Sequence, residues 1–122
     1  MSTEQVAARL VELCRVGKYE EAQDELYAED AVSIEMAGLP PGAFGDAHGL
    51  DAIREKGRQW AANIVEIHGG SVSDPVVADG WFSVAMGIDA TYKDRGRVAM
   101  REICVYQVRD GRIVREQFFY EG

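Results

Sequence analysis

From Val65 to its end the chain alternates in the manner of β-strands, and three turn signals punctuate it: Asp79-Gly80, Asp94-Arg95-Gly96 and Asp110-Gly111. Such punctuation leaves little besides an antiparallel meander. The runs between the turns predict strands over 65–72, 81–93, 98–109 and 112–120. Two of these exceed the usual length of roughly five or six residues, and long strands coil with the sheet's own twist. The expected sheet is therefore curved and has a concave face.

The first half of the chain repeats differently. Ser2 and Gln5 have capping-box spacing, and Val6, Leu10, Leu13 and Cys14 then recur at helical intervals until Gly17. The run 19–28 sets Tyr19, Ala22 and Leu26 on one stripe and Glu20, Glu21, Asp24 and Glu25 on the other, predicting a second helix. Over 31–36 the period becomes two, with Val32, Ile34 and Met36 on one face and Ala31, Ser33 and Glu35 on the other, which predicts a strand. Residues 37–49, rich in Gly and Pro, predict a flexible loop that could serve as a lid. Asp51 is placed to cap a third helix whose apolar side carries Ile53, Trp60, Ala61 and Ile64, which ends near Asn63 and has a weak point at Gly57. Three helices followed by a meander predict an α+β domain with the helices segregated onto the concave face, and 122 residues suffice for one such domain spanning 1–122.

Composition narrows the function. A formal net charge of -8, with Lys and Arg scattered singly, argues against nucleic acid or an anionic membrane surface as partner. The N-terminus lacks a basic segment followed by an apolar one, and no stretch nears the roughly 18 apolar residues of a membrane span, so a cytoplasmic location is expected. Cys14 and Cys104 have no CxxC spacing and predict reduced thiols, while His48 and His68 lack partners at ligand spacing. With no glycine cluster at phosphate-loop spacing either, neither metal nor cofactor is expected.

The order helix, Gly17-Lys18, helix, then Leu26-Tyr27-Ala28-Glu29-Asp30-Ala31-Val32 resembles the opening of ketosteroid isomerases and SnoaL-like polyketide cyclases of the nuclear transport factor 2-like superfamily. Ala52-Ile53-Arg54-Glu55 is similar to that family's segment after its first strand, and Arg109-Asp110-Gly111-Arg112-Ile113 to the turn before its last. The resemblance implies a cone-shaped α+β barrel around a small hydrophobic ligand, and a homodimer formed through the outer sheet face. It also implies that Glu35 stands where ketosteroid isomerases carry the carboxylate that moves a proton beside a carbonyl. Those enzymes complete the site with a Tyr and a protonated Asp. Their positions correspond here to Leu10 and Cys104, which argues against steroid isomerisation itself.

The remaining candidates follow from alternation. Over 98–109, Met100, Glu102, Cys104, Tyr106 and Val108 share one face, with Arg101, Ile103, Val105 and Gln107 on the other. By analogy the first set lines the pocket, which makes Glu102 a second candidate acid or base and Cys104 a small buried hydrophobe at the wall. In the last strand the analogy favours Phe118 and Tyr120 for the pocket and Phe119 for the outer face. The cross-strand register hangs on the turn: a three-residue loop at Arg109-Asp110-Gly111 sets Glu102 and Cys104 against Phe118 and Glu116, and a two-residue turn shifts the pairing by one. Trp60 and Met86 are expected as pocket wall, His68 as a candidate acid or base beside Glu66, and His48 as a residue that could close over a ligand. An Asp-Arg-Asp arrangement like that of limonene epoxide hydrolases would need an acid two residues after Arg101, where Ile103 stands. Two functions fit these residues: a cofactor-free isomerase, dehydratase or cyclase that uses Glu35 with Glu102, His68 or Tyr120, and a non-catalytic ligand-binding or dimerisation module.

Overall fold

The computed structural model describes residues 1–36 and 45–121, so the predicted lid falls largely outside the described residues. Helix α1 (Thr3–Arg15) starts at Ser2 with both capping-box bonds made, and it buries Val6, Ala7, Leu10, Val11, Leu13 and Cys14. Helix α2 (Tyr19–Leu26) is shorter than its apolar stripe suggested. The chain turns extended at Tyr27, and strand β1 (Tyr27–Ile34) begins there rather than at Ala31, because Tyr27 pairs with Ile113 in a parallel ladder. Strand β2 (Ala47–His48) pairs with β1, so His48 sits in a short ladder opposite Val32.

Helix α3 (Leu50–Ala62) opens after Gly49, whose φ of 92° favours glycine, and no side chain caps it. Asp51 lies inside the first turn, where it pairs with Arg54 instead of acting as the cap. Ile53 is buried as expected, whereas Ala61 is exposed. A Cβ at Gly57 would meet only Gln23 Nε2, at 3.7 Å, so α2 does pass close to this helix.

Strands β3 (Ile64–Val72), β5 (Trp81–Tyr92), β6 (Gly96–Arg109) and β7 (Arg112–Phe119) form the predicted meander, to which β4 (Val76–Ala78) adds a short edge pairing with β5. The sheet order is β2-β1-β7-β6-β5-β3, antiparallel throughout except where β1 runs parallel to β7. The sheet curves, and the three helices pack on its concave side. Phe82, Val84, Cys104, Tyr106 and Ile113 form the sheet's share of the core beneath α1 and α2, with Phe82 and Tyr106 stacked at 4.8 Å.

The last turn starts in the two-residue register and then leaves both predicted registers. Arg109 pairs with Arg112 across a two-residue turn, with Asp110 and Gly111 at φ of 53° and 75°. A bulge then restores the alternation: Val108 pairs with Ile113 but Gln107 with Arg115, leaving Val114 as the extra residue. Cys104 therefore faces Phe118 and Tyr106 faces Glu116, on the interior.

Because Ser2 satisfies an N-terminal amide of the helix that supplies six buried side chains, Ser2→Ala should cost about 1 kcal/mol, read as a lower urea midpoint at unchanged slope.

Candidate functional site

The concave face and the helices enclose a cavity of about 820 Å³, open on one side. One connected set of polar groups, at its wall or just behind it, comes from three neighbouring elements. Ser33 and Glu35 follow alternation inward at the end of β1, Glu116 and Tyr120 come from β7 and the residues after it, and Lys56 comes from α3.

Glu116 is the deepest of these groups, and its side chain is held from two sides. The Tyr27 hydroxyl donates to Oε1, and the Ser33 hydroxyl donates to Oε2 at 2.7 Å. Burial raises the Glu116 carboxyl above the ordinary range, against the pull of those hydroxyls and of Lys56. Ser33 Oγ, having given its proton to Glu116, accepts from Lys56 Nζ at 2.9 Å. Lys56 Nζ also meets Glu35 Oε1 at 2.5 Å, with side-chain exposures of only 17% and 11% for the pair. The Tyr120 hydroxyl donates to the other Glu35 oxygen at 3.1 Å. One continuous line of contacts thus runs from buried Tyr27 through Glu116, Ser33, Lys56 and Glu35 to Tyr120.

Glu102 stands apart from this line. It lies on the interior face of β6 opposite Met86, and Cys104 Sγ, at 3.5 Å from Oε1, is the hydrogen-bond partner the described residues offer it. Desolvation, with a smaller contribution from the charges of Glu35 and Glu116, pushes its carboxyl up to about 7. A carboxyl poised there exchanges its proton readily near neutrality.

Of the residues singled out in the sequence, Glu35, Glu102, Trp60, Met86, Phe118 and Tyr120 all border this cavity. Trp60 meets Tyr19 edge to face at 6.0 Å, and Phe118 lies 5.4 Å beneath the Lys56 ammonium. Cys104 is placed differently from expectation: fully buried in the core, it reaches Glu102 but does not line the cavity. His68 borders the cavity as well. A register shift between Ile67 and Gly69 re-aims its ring, which bonds Thr91 Oγ1 at 2.7 Å and lies 3.9 Å from Glu66. The imidazole is thus anchored at the cavity wall by Thr91, with Glu66 as its neighbouring carboxylate.

Lys56, Ser33 and the importance of Glu116 were missed. Lys56 falls three residues after Ile53 and four before Trp60, on the very stripe predicted to face inward, and a cation on such a stripe was the available signal. Among the described residues, no three His, Cys, Asp or Glu side chains gather at metal-binding distance. None of the described helices is long and apolar enough to cross a membrane.

Residues 1–120 match the family model for the SnoaL-like domain. The chain belongs to that family. A protein from Mesorhizobium loti, named as a candidate SnoaL-like polyketide cyclase and as a carbohydrate phosphatase, is similar at 35% identity over 98% of this chain and 100% of its own, with a TM-score of 0.89. Two more distant structures share the fold. A nuclear transport factor 2-like protein of unknown function from Burkholderia pseudomallei has 17% identity, coverage of 99% and 92%, and a TM-score of 0.79. A protein of ketosteroid isomerase-like fold from Catenulispora acidiphila, solved with trimethylamine, has 14% identity, coverage of 96% and 85%, and a TM-score of 0.73. No curated protein matches the chain.

In this SnoaL-like domain the raised Glu102 carboxyl has a consequence for stability. The folded protein holds that proton more tightly than the unfolded chain does. The stabilisation is therefore fully present below the ordinary carboxylate value of 4.5 and is lost as pH rises through about 7. Glu102→Gln removes the titration. In urea unfolding, the variant should gain on the wild type between pH 5 and pH 8 by about 1–2 kcal/mol, allowing for partial exposure of the group. A pH-independent difference would place Glu102 in solvent.

Proposed function

We propose that this protein is a cofactor-independent enzyme of the isomerase, lyase or cyclase kind that moves a proton beside a carbonyl of a small, largely apolar substrate. One observation carries this reading: Glu35, charge-balanced by Lys56, and Glu102, with a carboxyl near 7, border the same aromatic-walled cavity. Two carboxyls in one cavity, one against an ammonium and the other desolvated without a cation, can divide the base and acid roles between them. On this reading Glu35 accepts the proton from carbon: the C–H bond breaks, an O–H bond forms on the carboxylate, and the electron pair moves into the carbonyl as an enolate. Glu102 then returns a proton to the substrate or delivers one to a departing hydroxyl. Leu10 and Cys104, both buried, carry no acid at the positions where ketosteroid isomerases are expected to carry theirs. The nearest equivalent lies two residues away, on the same face of β6 as Cys104.

The test is deuterium exchange from solvent into the carbon next to the carbonyl of 2-tetralone, used as a small apolar ketone. Glu35→Gln should slow exchange roughly 10²–10⁴-fold while binding of the ketone persists. Exchange at the wild-type rate would remove Glu35 as the base, and binding without exchange in the wild type would favour a ligand-binding module instead.

We also read the outer sheet face as the contact surface of a homodimer. Ile103 and Phe119 pair across β6 and β7 and are 53% and 45% exposed, an apolar strip on a face that the helices leave open. Light scattering should give the mass of two chains for the wild type and of one for Phe119→Asp. A monomeric wild type would refute the dimer.

A further inference from the structure

Lys56, the one lysine that lines the cavity among the described residues, is held more firmly than an ion pair alone requires. Among the described residues, Lys56 Nζ has two oxygen partners, Glu35 Oε1 at 2.5 Å and Ser33 Oγ at 2.9 Å. Ser33 is fully buried, and its hydroxyl proton is committed to Glu116, which is itself buried and held by Tyr27. The lone pair that Ser33 offers to Lys56 therefore has a fixed direction. An ammonium carries three N–H donors. Two are spoken for, and Lys56 also borders the cavity, above the Phe118 ring.

Consider what happens when Glu35 takes a proton from carbon. Before the step the negative charge is on Glu35, beside Lys56; after it, Glu35 is neutral and the charge sits on the substrate oxygen. A cation that touches the base and has a donor left over can remain paired throughout, provided the new oxyanion forms within its reach. This preorganised charge, already paid for in folding, is the kind of stabilisation that lowers a barrier, because nothing must reorganise at the moment of reaction.

We propose that Lys56 is the oxyanion-stabilising residue of this cavity, binding the enolate oxygen of the substrate with the N–H that Glu35 and Ser33 leave over, and that Ser33 and Glu116 are its positioning residues. The ligand class that follows is a planar enolate or phenolate, an anion whose charge lies on a single oxygen beside an apolar ring. This deepens the proton-transfer reading and rests on it for the role of Glu35, but the oxyanion site can be tested without turnover.

Glu35→Gln imitates the neutral base left after proton abstraction and frees the Lys56 charge for a bound oxyanion. The probe is 2-naphthol, whose absorption and fluorescence distinguish the neutral from the ionised form. At pH 8 the Glu35→Gln protein should bind it as naphtholate, about tenfold or more tighter than does Glu35→Gln/Lys56→Gln, a factor equivalent to about 1.4 kcal/mol. The double variant should bind it, if at all, in the neutral form. Glu35→Gln/Lys56→Arg, which keeps the charge, should restore the ionised spectrum and guards against loss of fold in the glutamine variant. Naphtholate bound equally well by the Lys56→Gln double variant would overturn the proposal, as would binding of neutral naphthol alone by Glu35→Gln. The deuterium exchange above judges the base separately. Loss of exchange in Glu35→Gln with no effect of Lys56 on the bound spectrum sinks the oxyanion site and spares the base. The reverse pattern sinks the base and spares the site.

Discussion

The parallel pairing of β1 with β7 is the constraint on which the site depends. It sets Ser33 beside Glu116 and Tyr27 beside Ile113, so a carboxyl that would otherwise be buried alone finds two hydroxyl donors. An unpartnered carboxylate at that depth would be severely penalised, and the cheapest escape would be rearrangement of the strand end. With the hydroxyls in place, Glu116 becomes a fixed acceptor that commits the Ser33 proton, and the Ser33 lone pair in turn fixes Lys56. Glu35 then meets a cation whose position is decided two residues deeper in the protein. The order matters: the reactive end of the cavity is arranged by its buried end.

Against this ordered line, the isolation of Glu102 stands out. Glu35 and Glu116 each have a hydroxyl or an ammonium against them, and Glu102 has a thiol, a weak donor. Its neutral form is favoured for want of partners rather than by a strong hydrogen bond, and that leaves its oxygens available to a ligand. Two glutamates that face one cavity thus have different surroundings, one held by an ammonium and a hydroxyl, the other left with a thiol.

How much of this was legible varied with the physics of each element. The interior faces of β6 and β7 followed directly from alternation, because burial on one side leaves a period of two that composition cannot hide. On β1 the same rule misled about which face mattered: Val32, Ile34 and Met36 look like the core, yet Ala31 and Ser33 are the buried residues, since the inward side there is lined for polar contacts. The register beyond Asp110-Gly111 was not readable. A two-residue turn and a bulge at Val114 together keep the alternation but move the pairing by two residues from that of a three-residue loop, and no local signal at Val114 announces the bulge. A similar irregularity after Ile67 was equally unreadable, and with it the bond that ties His68 to Thr91 at the cavity wall. Lys56 was hidden for another reason: a lysine on a helix is ordinary until its neighbours on the inward stripe are counted with it.

The positions corresponding to the Tyr and Asp of ketosteroid isomerases are occupied here by Leu10 and Cys104, 2% and 0% exposed, both inside the core cluster. Replacing two polar groups by apolar ones at those depths removes two desolvation penalties and seals that end of the cone. The cavity keeps polar groups on neighbouring residues, Glu102 on the same strand and Lys56 on α3, and these are the proposed acid and donor. A charged ammonium is a different instrument from a neutral phenol or carboxylic acid. It balances Glu35 in the resting protein, and so the base and the proposed oxyanion share one counter-ion instead of facing separate groups. On this arrangement the cavity's charge is the same before and after the proton moves, and a cone whose inner end is dry can tolerate the step.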